Sequence, residues 1–458
     1  MANSKKLASS DLLQSVSDRL HAQLTPGRHV TVALSGGVDS VVLLHLLHCL
    51  QREQPFLLSA IHINHQISPN AADWAEFCTT LCAKLQVPLV IKKIRVPRRS
   101  QAGLEGAART MRYQVFSRLD TDCLLLAHHL DDQAETVLLN LLRGAGVRGA
   151  AAMPLLRLQV SGVGRQGEGA PIVRPLLDAP RAALVAYAKK HRLAWIEDES
   201  NVDEAFARNY LRHAVLPLVE QRFPAYRQTL ARASRHFSEA DSLLDELAAI
   251  DMASTVRDGK LKLALLQQYS PIRAKNLLRA YFATQGMPAL DTERLQEWLR
   301  QLIQARGDSR VHLGVAGLVL RRYRGDVWIE SEMPSPAADW RIDWRGEHEL
   351  ALPELGGHLS LMSVQGEGLS VAKLGTASLT LRLRQGGEKL KPDCGRPRKT
   401  LKHLLQEAAI PPWQRERLPL LFSGEILVVA PGIGIDCAYQ ACPGEPGLMF
   451  NWVLAYTG

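Results

Sequence analysis

In the first third of the chain, apolar positions alternate between two regimes. Val30 to Leu34, Phe56 to Asn64, Pro88 to Ile94 and Cys123 to Ala127 are short apolar runs that read as strands buried in a sheet. Between them, apolar residues recur at helical spacing. Leu104, Ala108, Met111, Val115 and Leu119 make one such stripe, and Ser68 followed by Pro69 reads as the cap and first turn of another helix. A βαβ series of this kind predicts a mostly parallel, doubly wound α/β sheet with helices on both faces.

Farther along, Ser161 to Ala170 is rich in glycine and polar residues and reads as a surface loop. Ile172 to Leu176 adds a strand and Arg181 to His191 a helix. From Asn209 to about Gln304 the pattern is mostly helical and dotted with arginine. Arg310 to Glu330 returns to strands, with a turn at Arg324, Gly325 and Asp326. The stretch Met333 to Ala338 is the expected linker to a C-terminal domain of mixed α and β character. The chain thus divides into an α/β domain over 1–215, a mainly helical domain over 216–335 and a C-terminal domain over 340–458.

Composition narrows the class. With 458 residues the chain can bury more than one core. Seven scattered cysteines do not make a disulfide framework, and no run approaches the ~18 apolar residues of a membrane span. These features predict a cytoplasmic protein without a membrane partner. A net charge of +9 favours polyanionic partners. It is concentrated between Arg382 and Lys402, where eight Lys or Arg, among them Lys389, Arg396, Arg398, Lys399 and Lys402, face Glu388 and Asp393 only. Basic side chains near an aromatic such as Trp413 are what RNA recognition needs, and a solvated basic hairpin is the alternative.

The chemistry is concentrated in Ser35-Gly36-Gly37-Val38-Asp39-Ser40, between the first strand and the helical run Val41 to Leu50. Two glycines let backbone N–H groups approach an anion closely, and the helix start adds partial positive charge. Asp39 would repel a phosphate unless Mg²⁺ lay between them. No Lys follows the glycines, so the loop is not of the Walker type. Other polar clusters follow the remaining strands: His62, Asn64 and His65, then Arg95 to Arg99, then His128 to Glu135. Ligands of open parallel sheets bind at that edge. On a helix, Asp132 and Glu135 share a face that suits an ammonium group or Mg²⁺, although carboxylates also simply cap helix starts. Glu105, Arg109 and Arg112 share another face, either an exposed salt-bridged surface or arginines aimed at phosphate. The four histidines His62, His65, His128 and His129 offer zinc ligands by type, without support from cysteine spacing.

Ser35 to Ser40 resembles the pyrophosphate loop of the N-type ATP pyrophosphatases, which adenylate a substrate oxygen and release pyrophosphate. Within that superfamily, Gly103 to Tyr113, Ala127 to Gly146, Glu197 to Asn201, Arg208-Asn209 and Val215 to Pro217 resemble motifs of the tRNA(Ile)-lysidine synthetases, with Glu199 standing where proline is expected. Gly386 to Leu390, Arg396 to Gln406, Ile410 to Trp413 and Pro419 to Phe422 resemble the C-terminal domain of the long form.

The resemblance implies an ATP- and Mg²⁺-dependent ligase. Ser35, Gly36, Gly37, Val38, Asp39 and Ser40 would hold ATP, with Mg²⁺ near Asp39. Asp132 and Glu135 would grip free L-lysine, and Arg112 would steady phosphate charge. The partner would be the isoleucine tRNA with a CAU anticodon, whose wobble cytidine becomes lysidine and so reads AUA in place of AUG. Oligomeric state stays open, a homodimer included. The rival readings are cytidine thiolation, weakened by the absence of a Cys-x-x-Cys, and an RNA-binding protein without catalysis.

Overall fold

The computed structural model describes residues 9–97, 103–159, 169–199, 203–305, 311–374 and 378–454, and the chain forms two compact units, Met1–Ala248 and Ala249–Gly458. The first unit begins with α1 (Ser9–Leu20), β1 (His29–Ala33), α2 (Val38–Gln51), β2 (Leu57–Asn64), α3 (Ala71–Leu85), β3 (Leu89–Lys93), α4 (Gly103–Phe116), β4 (Cys123–Leu125) and α5 (Leu130–Leu142). It continues through α6 (Val147–Ala150), β5 (Leu156–Gln159), β6 (Gly169–Val173), α7 (Arg181–Lys190), α8 (Ala207–Tyr210), α9 (Leu216–Arg222) and the start of α10 (Tyr226–Thr255).

The six strands are ordered β3-β2-β1-β4-β6-β5, all parallel except β5, which runs antiparallel to β6. From β1 the chain steps outward to β2 and β3, then crosses back to β4 on the other side of β1. The strand order therefore reverses between β1 and β4, and the crevice beyond their carboxyl ends is where such sheets bind ligands. The doubly wound sheet is the predicted one, with strand ends shifted by up to three residues, the largest shift at β6. The core is built around α2, whose Val41, Val42, Leu43, Leu44, Leu46, Leu47 and Leu50 are all buried. A helix apolar around its girth has to be covered on all sides, as this one is by α1, α7 and the sheet.

Three local expectations change. Ser68 and Pro69 precede α3 instead of opening it: the helix starts at Ala71, and Ser68 Oγ accepts from Asn70 N–H (3.1 Å) while donating to Glu199 (3.0 Å). Strand β5 lies just ahead of the expected loop, most of which lies outside the described residues. Between α8 and α9, Leu211–Val215 forms a π turn, and Pro217, in the first turn of α9, has no N–H to give back to it.

In the second unit, the stretch expected to be helical contains β7 (Val256–Arg257) and β8 (Lys260–Lys262), followed by α11 (Leu263–Leu266), α12 (Pro271–Thr284) and α13 (Thr292–Gln304). The predicted strands follow as β9 (His312–Val315), β10 (Leu318–Tyr323) and β11 (Asp326–Ser331), with positive φ at Arg324 and Gly325 in the tight turn. These helices bury Leu277, Leu278, Phe282, Trp298 and Leu302 against Leu320 and Val327 of the sheet.

The rest is an antiparallel β structure: β12 (Arg341–Trp344), β13 (Glu349–Leu352), β14 (Gly357–Gln365), β15 (Leu369–Ser370), β16 (Leu379–Arg382), β17 (Lys389–Leu390), β18 (Lys399–Thr400), α14 (Leu401–Glu407), α15 (Pro412–Arg415), β19 (Leu420–Ser423), β20 (Ile426–Ala430), β21 (Gly434–Ile435) and β22 (Pro446–Leu454). Trp413 is half-buried. Its ring packs edge-on against Tyr323 and Trp328 of the preceding β10–β11 hairpin, at 6.1 and 6.0 Å, with Arg321 over it.

Candidate active site

Local chemistry makes the glycine loop before anything binds to it. Gly36 adopts φ +92°, and a β-carbon there would lie 2.8 Å from Ile196 Cδ1. Ile196 N–H donates to Gly36 O (2.9 Å), which ties the loop to the segment after α7. Ser40 Oγ donates to Gly37 O (3.0 Å) and accepts from Ser35 N–H (3.2 Å), closing the loop onto the start of α2. Gly37 is the N-cap of α2 without a side chain to supply the cap, so the first N–H groups of the helix face the crevice. Asp39 sits in that first turn. Its Oδ1 is buried without a hydrogen-bond partner, while Oδ2 lies 3.6 Å from His129 Nε2.

The end of β4 supplies the opposite wall. His129 caps α5 reciprocally: its Nδ1 accepts from Asp132 N–H (3.3 Å), and Asp132 Oδ2 accepts from His129 N–H (3.1 Å). The imidazole thereby spans Asp39 of one loop and Asp132 of the other. Burial pushes its pKa down, but the carboxylates of Asp132, Asp39 and Asp131 outweigh burial and raise it. Burial would raise the Asp132 carboxyl, but His129, Arg208 and His128 hold it below the usual range.

Asp132 and Glu135 do share a face, and the structure fills it. Arg208 Nε meets Glu135 at 2.8 Å and its terminal nitrogen meets Asp132 at 2.9 Å; Arg212 Nε reaches Glu135 at 2.7 Å and its terminal nitrogen Asp132 at 3.5 Å. Glu135 is only 2% exposed. The two arginines flank the start of the π turn, so one wide turn brings a second guanidinium to the same carboxylate. Arg208 was visible in the sequence only within a resemblance, and Arg212 carried no signal, because their partners lie more than seventy residues earlier in the chain.

Arg112, exposed on α4, donates to His65 Nε2 (3.2 Å). Burial, Arg112 and His62 push His65 down to about 4, so the ring is a neutral acceptor. His62 is buried, bonded to Leu34 O (2.9 Å) behind the glycine loop. Burial, offset in part by Asp132, pushes His128 down to about 3. Among the described residues, no group of three or more His, Cys, Asp and Glu side chains is placed to hold a metal ion, which removes the four-histidine zinc site. Arg95 is exposed after β3, whereas Arg98, Arg99 and the Glu105 side chain lie outside the described residues, as do Ser200 and Asn201.

The basic C-terminal segment forms the β17–β18 hairpin. Arg396 pairs with Asp393 (3.1 Å), Arg398 with the buried Asp436 (2.8 Å) and Lys399 with Glu407 (2.7 Å), while Lys389 and Lys402 are exposed. Much of the positive charge counted along the sequence is thus matched by carboxylates brought in by the fold.

Family models match in three places: the PP-loop domain over residues 9–219, the TilS substrate binding domain over 261–328 and the TilS substrate C-terminal domain over 379–452. Among curated proteins, the tRNA(Ile)-lysidine synthase of Nitrosomonas europaea is 44% identical over 99% of this chain and 98% of its own length. That of Azoarcus sp. is 42% identical over 95% and 94%, and that of Coxiella burnetii 36% identical over 93% of each. No helix among the described residues is long and apolar enough to cross a membrane.

Proposed function

The chain belongs to the tRNA(Ile)-lysidine synthase family, and from that premise we propose that the crevice between β1 and β4 joins free lysine to the wobble cytidine of the CAU-anticodon isoleucine tRNA. It is a ligase that uses ATP to form lysidine on tRNA(Ile). The observation that carries the assignment to this crevice is convergence. The glycine loop, the start of α2, Asp39 and the Asp132–Glu135 pair meet at one switch point of the sheet.

The glycine loop and the N–H groups of α2 bind and orient the ATP phosphates. Asp39, with one carboxylate oxygen buried and unpartnered, fits Mg²⁺, a hard cation that takes few protein ligands and keeps phosphate oxygens and water. When bound, the ion neutralises phosphate charge. The cytidine carbonyl oxygen at position two attacks the α-phosphorus, a P–O bond forms and pyrophosphate leaves. The lysine ε-amine, once deprotonated, then attacks the activated carbon; the C–N bond forms and AMP departs with the oxygen. Arg112, oriented by neutral His65, meets phosphate charge as it develops.

Asp132 and Glu135 already hold Arg208 and Arg212, so an incoming lysine shares their carboxylates instead of finding them bare. A zwitterionic amino acid matches a wall of both signs, ammonium toward the acids and carboxylate toward the arginines. Lys389, Arg396, Arg398, Lys399 and Lys402 serve the tRNA on the other unit, and the protein acts in the cytoplasm.

The test is incorporation of labelled lysine into total bacterial tRNA with Mg·ATP, comparing the protein with Asp39→Ala. Incorporation confined to the CAU-anticodon isoleucine tRNA and lost in the variant is expected. Pyrophosphate release on adding tRNA without lysine incorporation would keep the adenylation and point to another nucleophile.

A further inference from the structure

Arg174 is among the largest fully buried side chains of the protein, and no acid among the described residues pairs with it. Its side chain donates to Pro154 O (2.8 Å) and to His128 Nδ1 (3.2 Å), with one nitrogen 3.5 Å from the Tyr113 hydroxyl. Two further guanidiniums, Arg109 and Arg157, each lie 5.3 Å from the Tyr113 ring centre. Among the described residues no carboxylate forms an ion pair with any of the three arginines. This is unlike the pattern elsewhere in the unit, where Arg208, Arg212 and Arg227 each close on an acid. A buried charge without a counter-ion is costly, and fixed cations gathered around it raise that cost. Such a cluster persists in a fold where an anion completes it.

The placement says which edge that anion would approach. Arg174 follows β6 and His128 follows β4, both at the carboxyl edge; Arg157 pairs in register with Ile172 near the same end of β6. His128 adjoins His129, which reaches Asp39 of the glycine loop. Arg174 forms a floor and the exposed Arg109 and Arg157 a rim, so the cluster is open on one side. The His128 ring, which burial holds neutral, adds no repulsion of its own to a cation and leaves the positive charge on the guanidiniums.

We propose that Arg109, Arg157 and Arg174, gathered around Tyr113, form a phosphate-binding subsite at the catalytic edge of the sheet. Three guanidiniums suit a phosphate better than the single charge of a carboxylate, and guanidinium geometry matches phosphate oxygens. The phosphate comes either from the tRNA backbone beside the reacting nucleotide or from the pyrophosphate end of ATP. The subsite deepens the proposed function, but its test is independent of lysine transfer.

The full-length protein is compared with Arg157→Gln and Arg109→Gln, both at exposed positions, and with Arg174→Met. Binding of a CAU-anticodon tRNA(Ile) transcript is measured against salt without ATP or lysine, and inhibition by inorganic pyrophosphate is measured separately. For a backbone phosphate, each rim variant lowers the slope of log affinity against log salt by about 0.7 to 0.9 and leaves pyrophosphate inhibition unchanged. For the ATP end, the slope is unchanged and pyrophosphate inhibition weakens several-fold. Either result supports the subsite. If neither quantity moves in the rim variants, or if only the KM for lysine moves, the proposal is overturned. Arg174→Met is scored only if it folds, and the rim variants decide the matter without it. A protein that binds tRNA as expected yet forms no lysidine would sink the functional reading and leave the subsite standing.

Discussion

Placing a methyl group on Gly36 forces it against Ile196 Cδ1 at 2.8 Å and holds alanine at φ +92°. Gly36→Ala should therefore cost about 1–3 kcal/mol of stability and weaken ATP binding more than tRNA binding, as thermal unfolding and nucleotide titration would report. Glu135 makes a second case. It is buried between two guanidiniums, so Glu135→Ala leaves Arg208 and Arg212 without their acid and should destabilise the first unit by about 3–5 kcal/mol, read from urea unfolding. Glu135→Gln should retain more of the fold while raising the KM for lysine. At this scale the sequence displayed the glycine loop, Asp39, Asp132 and Glu135, because each stands in a local pattern with a physical meaning. Arg174 and Arg212 stood in none, and only their burial and their partners across the fold single them out.

Elements show how much a short irregularity decides. The π turn over Leu211–Val215 contains Arg212 and begins three residues after Arg208, and both arginines reach Glu135. Periodicity does not place a π turn here, because the segment is too short, between α8 and α9, for the one-residue change of register to show in the apolar pattern. The β17–β18 hairpin is the corresponding case in the second unit. Asp436 is 1% exposed, accepts from Lys391 N–H (3.1 Å) and pairs with Arg398. Asp436→Asn should loosen the hairpin and weaken tRNA binding several-fold while ATP binding stays the same, a split that separate titrations of the two ligands would reveal. A uniform loss of both would mean that Asp436 supports the fold alone. Read along the chain, this hairpin is a run of positive charge with few acids; folded, three of its five named cations are tied to acids.

In the first unit, burial pushes three histidines down furthest: His128 to about 3, His65 and His45 to about 4. Each has a folded pKa below its unfolded value of 6.5, so between the two the unfolded chain binds more protons than the folded one. Their contribution is fully present above pH 6.5 and is lost as the pH falls toward 4. His129 runs the other way, since its raised pKa adds stability below 6.5 that fades at higher pH. His48 and His62 are likewise held below 6.5 by burial, so five groups against one should make the urea midpoint fall between about pH 7 and pH 5, and His128→Gln should flatten part of that slope.

The parallel sheet, the glycine loop ahead of α2 and the family are all legible along the chain. Strand runs, a glycine pair before a helix and local motifs are contiguous, and short-range sterics and hydrogen bonding act on contiguous residues. Tertiary structure decided which charges are answered and which are left open. Arg208 and Arg212 close on acids more than seventy residues away, Arg398 on Asp436, and Arg174 on none among the described residues, because pairing depends on distance in space, which the crossovers of the sheet set and sequence separation does not.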